Sequence, residues 1–264
     1  MAVSTRQIDK YHSQPPIFLQ GNRPLGAALH TLYQQHRAYF LDVVKLGEAA
    51  PAESMTLAEW SRPEMFLSLV ERYGDELYRN HPQHPREAKP LQSLWAQWYC
   101  GLIVPPLMMA MLLEPRVLDC SVQHIHVQFH STGRPAQFWI DIHEDGDARS
   151  LTSRQRLERL IQQHLIPVVK GIEQHGAING KLIWNNTGYL MHWFLGEIRT
   201  LLGEETFAVL EQALLFAPQL LDGSDNPLYR TMLLREGELQ RRSCCQRYRV
   251  PDIERCGNCT LKPV

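Results

Sequence analysis

Four cysteines fall within sixteen positions of this 264-residue chain, as Cys244-Cys245 and then Cys256-Gly257-Asn258-Cys259. Thiolate is a soft anionic ligand, and four of them satisfy either a tetrahedral Zn²⁺ or a [2Fe–2S] cluster. The C-x-x-C half reads as a chelating turn. Gly257 and Asn258 are residue types that enter the left-handed backbone region, which would aim Cys256 and Cys259 at one metal. The adjacent pair is less usual, because neighbouring side chains of an extended backbone diverge to opposite faces. Cys244 and Cys245 can meet one small object only where the backbone bends. Structural zinc sites draw on two short Cys loops and this spacing offers one, whereas a two-iron cluster spreads its ligands more widely. On that chemistry both metals stay open. Cys100 and Cys120 stand alone, and the crowding of the other four speaks for metal binding in a reducing compartment over disulfides.

Around the thiols stand Arg241, Arg242, Arg247, Arg249, Arg255 and Lys262 against Asp252 and Glu254, an excess of four positive charges in a chain of net charge −1. Such charges brace an anionic tetrathiolate centre, favour its reduced state and so raise its potential. Overall neutrality argues against nucleic acid as a partner and leaves room only for a local docking patch at a membrane surface. His124, His126 and His130 share one strand face; a three-histidine metal site is one reading, and a solvated face is the more ordinary one. His192-Trp193 reads as core.

These residues need a scaffold, and 44% hydrophobic residues suffice for a full core without disulfides. The start, Met1 to Arg6 and then Pro15-Pro16, has neither an apolar core nor a cleavage site, so no secretion is expected. Apolar spacing predicts a helix over 25–44 ended by Gly47. A capping box at Ser61-Arg62-Pro63-Glu64 opens a second, to about Arg79. A turn-rich loop at 81–86 leads to a buried helix over 91–113, interrupted at Pro105-Pro106; its apolar run, 101–113, is short of the roughly 20 residues a membrane span needs. Alternation predicts a hairpin with strands at 122–130 and 137–142, closed by the acidic turn 144–147. Thr152 to Gln155 is a second capping box, with a kink expected at Pro167 and a stop at Gly176. Helices over 182–202 and 204–216, a loop at 223–227 and a short helix over 228–234 complete the body. The fold class is α+β, mostly helical, with a small antiparallel sheet and an irregular C-terminal tail. The expected parts are 1–115 (helical), 116–239 (α+β body) and 240–264 (metal-binding segment).

The ending Arg242-Ser243-Cys244-Cys245, Tyr248-Arg249, Cys256-Gly257-Asn258-Cys259 resembles the C-terminus of the FhuF family of siderophore-iron reductases, whose C-C-x₁₀-C-x₂-C is a [2Fe–2S] signature. Leu182-Ile183-Trp184-Asn185-Asn186 and Asn226-Pro227-Leu228-Tyr229 are similar to the body of that family. The resemblance implies a [2Fe–2S] cluster on Cys244, Cys245, Cys256 and Cys259, and a ferric-siderophore reductase of the cytoplasm or the cytoplasmic face of the inner membrane. It acts on hydroxamate siderophores in the best-known member. Siderophores hold Fe³⁺ with hard oxygens and Fe²⁺ far less tightly, so one electron frees the metal, and such a cluster is a one-electron device. The chain carries no nucleotide or flavin fingerprint, so an external donor is expected, a flavoprotein reductase or a ferredoxin. Trp184, Asn185 and Asn186, at an expected helix start, could line a siderophore cleft. Arg242, Arg247 and Arg249 could meet an anionic siderophore or an acidic donor. Two other readings are an iron–sulfur redox sensor and a siderophore-binding protein with a structural zinc tail.

Overall fold

The computed structural model describes residues 24–146, 150–257 and 259–261. The Met1–Arg6 start, Pro15-Pro16, Asp147, Asn258 and Lys262 lie outside them.

The organising element is α5, Ala88–Leu113, apolar all round and buried over most of its length. It runs unbroken through Pro105 and Pro106, where a break was expected. Packing on every side holds the turn that two missing N–H groups would otherwise weaken, and the Tyr33 hydroxyl donates to the Pro106 carbonyl at 2.8 Å. At 26 residues α5 is long and apolar enough to cross a membrane, but 67% of its most apolar stretch is buried inside the fold.

Upstream, the first expected helix divides. α1 (Leu25–His36) stops at Arg37, α2 (Phe40–Val43) is one turn, and Val44 already belongs to β1, Val44–Leu46. The Arg37 guanidinium reaches across to Glu197, by its carbonyl at 3.1 Å and its carboxylate at 3.3 Å, which turns the chain away from the helix axis. The capping box is formed one turn earlier than expected, by Thr56 and Glu59 at α3 (Leu57–Trp60). α4 (Pro63–Leu77) begins with Pro63 in its first turn and no side-chain cap.

The hairpin forms from β2 (Ile125–Phe129) and β3 (Pro135–Ile140), pairing Val127 with Phe138. β1 joins β3 in parallel, giving the order β1-β3-β2, so the sheet is mixed. The three histidines each meet a nearer neighbour: His124 faces Asp119 at 3.4 Å, His126 faces Asp141 at 3.6 Å, and His130 Nδ1 lies 2.9 Å from Thr132 Oγ1.

α6 (Ser153–Leu160), capped by Thr152, runs through a π-helical turn at Ile161–Leu165 into α7, Ile166–Glu173. The distortion expected at Pro167 therefore sits one turn before it. α8 (Gly180–Glu197) is capped by Asn179, and the helix expected to reach 202 breaks at Ile198 before α9, Arg199–Leu202. α10 (Glu204–Leu215) ends on Asn226, whose amide donates to the carbonyls of Ala213, Leu214 and Ala217 at 3.1, 3.0 and 2.8 Å.

The short helix expected over 228–234 is instead a strand. β4 (Met232–Arg235) pairs antiparallel with β5 (Glu238–Arg241) around Glu236 and Gly237, at φ 50° and 86°. Two central residues with positive φ make the tight hairpin turn that matches strand twist. Gly188 of α8 admits this hairpin: a Cβ there would stand 2.1 Å from Thr231 Oγ1.

Candidate metal centre

β5 delivers the chain to the site. Its last residue, Arg241, pairs with Met232, and Arg242 N–H donates to the Thr231 carbonyl at 2.8 Å. Beyond it the tail lies on α5 and α8. The Ser93 hydroxyl donates to the Cys245 carbonyl at 2.8 Å, and the Asn185 amide to the Ser243 hydroxyl at 2.7 Å. Further along, Arg249 pairs with Glu87 at the start of α5, Nε to Oε1 at 3.1 Å, and Asp252 meets His81 at 2.7 Å.

The bend demanded by adjacent cysteines is present. Gln246 is left-handed, at φ 67°, and leads straight into a 3₁₀ turn at Arg247–Arg249. Its N–H turns back to donate to Cys244 Sγ at 3.3 Å. In the other half, Gly257 is not left-handed, and Asn258, the other residue of the expected turn, lies outside the described residues. Asp252, at φ 58°, is a second left-handed residue of the tail.

All four thiols are free. Cys245 Sγ lies 3.9 Å from Cys256 Sγ, and Cys259 is within hydrogen-bonding reach of both Cys244 and Cys256. Among the described residues no three His, Cys, Asp or Glu side chains close on a point that suits a single ion. The thiols form a chain of neighbours, Cys245, Cys256, Cys259 and Cys244 in that order.

Burial pushes the Cys256 thiol up, the nearby Cys245 thiol adds to it, and the Arg241 guanidinium opposes both. Burial also raises Cys244, against the Gln246 N–H. At Cys259 burial is outweighed by the Leu261 N–H, by the Cys244 and Cys256 thiols and by Arg255, and the thiol sits below its usual value. Backbone N–H groups two residues downstream thus face the sulfur of Cys244 and of Cys259, one in each half of the motif.

Arg241 is the residue that sequence reasoning undervalued as one more tail cation. It is 4% exposed, donates from Nη2 to Cys256 Sγ at 2.9 Å and from Nη1 to Asn186 Oδ1 at 3.2 Å, and lies over the Tyr189 ring. The Asn186 amide in turn donates to Ser93 Oγ at 3.3 Å. A buried guanidinium is costly without an anion beside it, and a metal-bound thiolate at Cys256 is such an anion. Four free thiols, two backbone N–H donors and this guanidinium fit a tetrathiolate centre.

The other residues singled out from the sequence separate. Asn185 and Asn186 sit in the second turn of α8 and brace the tail, while half-buried Trp184 packs on the core. Arg242 is exposed and Arg249 is held by Glu87. Arg247 borders a cavity of about 260 Å³ between α5, α8 and the tail, which Cys256, Arg241 and Asn186 also line.

Residues 93–240 match the family described as "Ferric iron reductase FhuF-like transporter", and residues 241–261 match the "FhuF 2Fe-2S C-terminal domain". The chain belongs to the FhuF family. The junction of the two FhuF matches falls at Arg241, the last residue of β5. The "Ferric siderophore reductase" of Escherichia coli (strain K12) is 52% identical over 238 residues, covering 90% of this chain and 91% of that protein. Among solved structures, aerobactin synthetase IucA of a hypervirulent Klebsiella pneumoniae pathotype aligns with a TM-score of 0.53 at 16% identity. That alignment spans 78% of this chain and 49% of the synthetase, and the ATP-bound form aligns as well, over 48% of its chain. This likeness is one of fold. The cofactor of the FhuF C-terminal domain is a [2Fe–2S] cluster, the larger of the two alternatives that the cysteine spacing left open.

Proposed function

We propose that this FhuF-family protein reduces ferric siderophores by one electron, releasing Fe²⁺, with its [2Fe–2S] cluster on Cys244, Cys245, Cys256 and Cys259. The observation that carries the ligand assignment is the Arg241–Cys256 contact at 2.9 Å inside a four-thiol tail. The 52% identity with the Escherichia coli ferric siderophore reductase supports the reaction. When bound, a [2Fe–2S] centre supplies a one-electron store whose potential is set by hydrogen bonds, charge and exposure. The chain's own residues do the rest. Arg241 compensates the charge added on reduction, the Gln246 N–H holds Cys244, Ser93 holds the Cys245 carbonyl, and Asn185 holds the Ser243 hydroxyl just before the first thiol. The substrate class is a hydroxamate chelate, the donor a flavoprotein reductase or ferredoxin, and the place of action the cytoplasm or the cytoplasmic face of the inner membrane.

Protein purified without oxygen tests this reading. It should be red-brown, with iron and acid-labile sulfide in equal amounts. With a chemical one-electron donor it should turn over a ferric trishydroxamate present in large excess, with Fe²⁺ captured by a chromogenic chelator. Colourless protein carrying zinc, or a single turnover followed by arrest, overturns it.

A further inference from the structure

The 260 Å³ cavity beside Cys256 is too small for a hexadentate siderophore, but it adjoins a larger one. A groove of about 690 Å³ lies between the outer face of α5 and the tail, within the size range of small-molecule sites. The two share Gln97, Gly101 and Arg247 as lining residues. A molecule in the groove is therefore separated from the Cys256 cavity by residues that line both, the Gln97 and Arg247 side chains and the Gly101 backbone. We propose that this groove, walled by Trp98, floored by Gly101 and bounded by Arg247, seats the ferric chelate during reduction; the proposal rests on the reductase reading.

Three features support that occupant. Trp98 is 39% exposed on a helix buried over most of its length and is fixed in place. Its Nε1 donates to Tyr73 Oη at 2.8 Å, and Arg134 stacks on it at 4.7 Å. A rigid aromatic platform of that kind offers contact area at little entropic cost. Gly101 sits exposed in the interior of α5, where glycine costs about 1 kcal/mol against alanine. Beyond its own turn of helix no atom lies within 4 Å of the place a Cβ would take, so packing does not require glycine. What its absent side chain does is keep the groove floor open. The charged side chains lining the groove are Arg247, Asp252 and Glu254, one positive against two negative, and His81 bonds Asp252 from outside the lining. Three singly charged hydroxamates neutralise Fe³⁺, so their complex enters without net charge, whereas a tricatecholate complex carries three negative charges past two carboxylates.

The experiment uses the cluster-loaded protein and redox-inert gallium(III) chelates, titrated by calorimetry, alongside steady-state reduction of the ferric forms. Gly101→Phe should weaken binding of the gallium trishydroxamate and raise KM by about tenfold or more, with cluster absorbance and unfolding midpoint retained. Trp98→Ala should act in the same direction. The gallium tricatecholate should bind more weakly than the trishydroxamate at low salt. Wild-type affinity in both variants, or no binding to the wild type, overturns the seat, and equal affinity for both chelates overturns its assignment to a neutral complex. Wild-type protein that binds the gallium chelate in this groove but never reduces its ferric counterpart overturns the reductase reading and leaves the seat standing.

Discussion

Replacing Arg241 with Gln should lower the reduction potential of the centre by tens of millivolts without emptying it. The reduced state carries one more negative charge than the oxidised one, and Arg241 donates directly to Cys256 Sγ at 2.9 Å while 4% exposed. At an effective dielectric of about 20 and a separation of roughly 5 Å, one unit charge is worth about 3 kcal/mol. A one-electron couple moves about 59 mV per tenfold change in equilibrium constant, or per 1.4 kcal/mol or so, which sets an upper value near 130 mV. Glutamine keeps an N–H donor and leaves room for water, so a fall of about 50–100 mV is expected. Arg241→Lys keeps the charge but loses the fork that also holds Asn186, and should fall between the two. The assay is a redox titration followed by visible absorbance on protein of matched iron content. A Gln variant with full iron and a potential within about 15 mV of wild type would refute the reasoning, because that shift corresponds to less than about 0.4 kcal/mol.

Single Ser replacements of Cys244, Cys245, Cys256 and Cys259 should each lose most iron, whereas Cys100→Ser and Cys120→Ser should keep it. Burial pushes the latter thiols up to about 11 and about 12, which keeps them protonated, and iron analysis with visible spectra decides. Gly188→Ala should cost on the order of 1–3 kcal/mol and speed loss of iron to an external chelator, since its Cβ would stand 2.1 Å from Thr231 Oγ1 in the hairpin that carries Arg241. Unaltered melting and iron retention would show that the hairpin docks otherwise. His164, fully buried beside the Tyr99 hydroxyl, is pushed by burial down to about 4, against a smaller opposing effect of the Cys120 backbone. Its folded pKa is depressed, so the unfolded chain binds the extra proton first, and stability falls as pH drops from about 6.5 to about 4, by about 1.4 kcal/mol per unit. Urea midpoints across that range should flatten in His164→Gln, and an unchanged slope would assign the loss to other groups.

The iron–sulfur segment was legible because its signal is local: four thiols in sixteen positions point to metal whatever surrounds them. The hairpin of β2 and β3 and the cap at Thr152 were legible for the same reason, since alternation and capping are short-range patterns. The errors share a different cause. β1 reads as the end of a helix because Val43 and Val44 fit a helical face, and only pairing with Phe138 and Trp139 makes Val44 and Lys45 a strand. β4 and β5 turn on Glu236-Gly237, a pair without the usual Asn or Asp signal for a turn of this kind. The proline pair in α5 reads as a break, and burial overrides it. Arg241 could not be separated from its neighbours, because a cation's role depends on what lies across from it, and Asn186 is 55 residues away.

The fate of the six tail cations follows from those placements. Arg241 is spent on Cys256 and Asn186, Arg249 on Glu87, and Arg255 lies over the Tyr248 ring. Lys262 lies outside the described residues, and the Arg242 side chain faces solvent at the end of the hairpin. Arg247 alone among the five described borders both the cavity beside Cys256 and the groove against Trp98. The basic excess read from the sequence is therefore mostly internal wiring that anchors the tail and offsets thiolate charge. Wiring of that kind makes the centre easier to reduce without making the surface attractive to every anion. On the proposed seat, selectivity for a chelate rests on the shape and slight negative charge of the groove, and the potential of the centre on Arg241. A variant that changes one should leave the other untouched: Gly101→Phe should move KM and not the potential, and Arg241→Gln the potential and not the affinity for a gallium chelate.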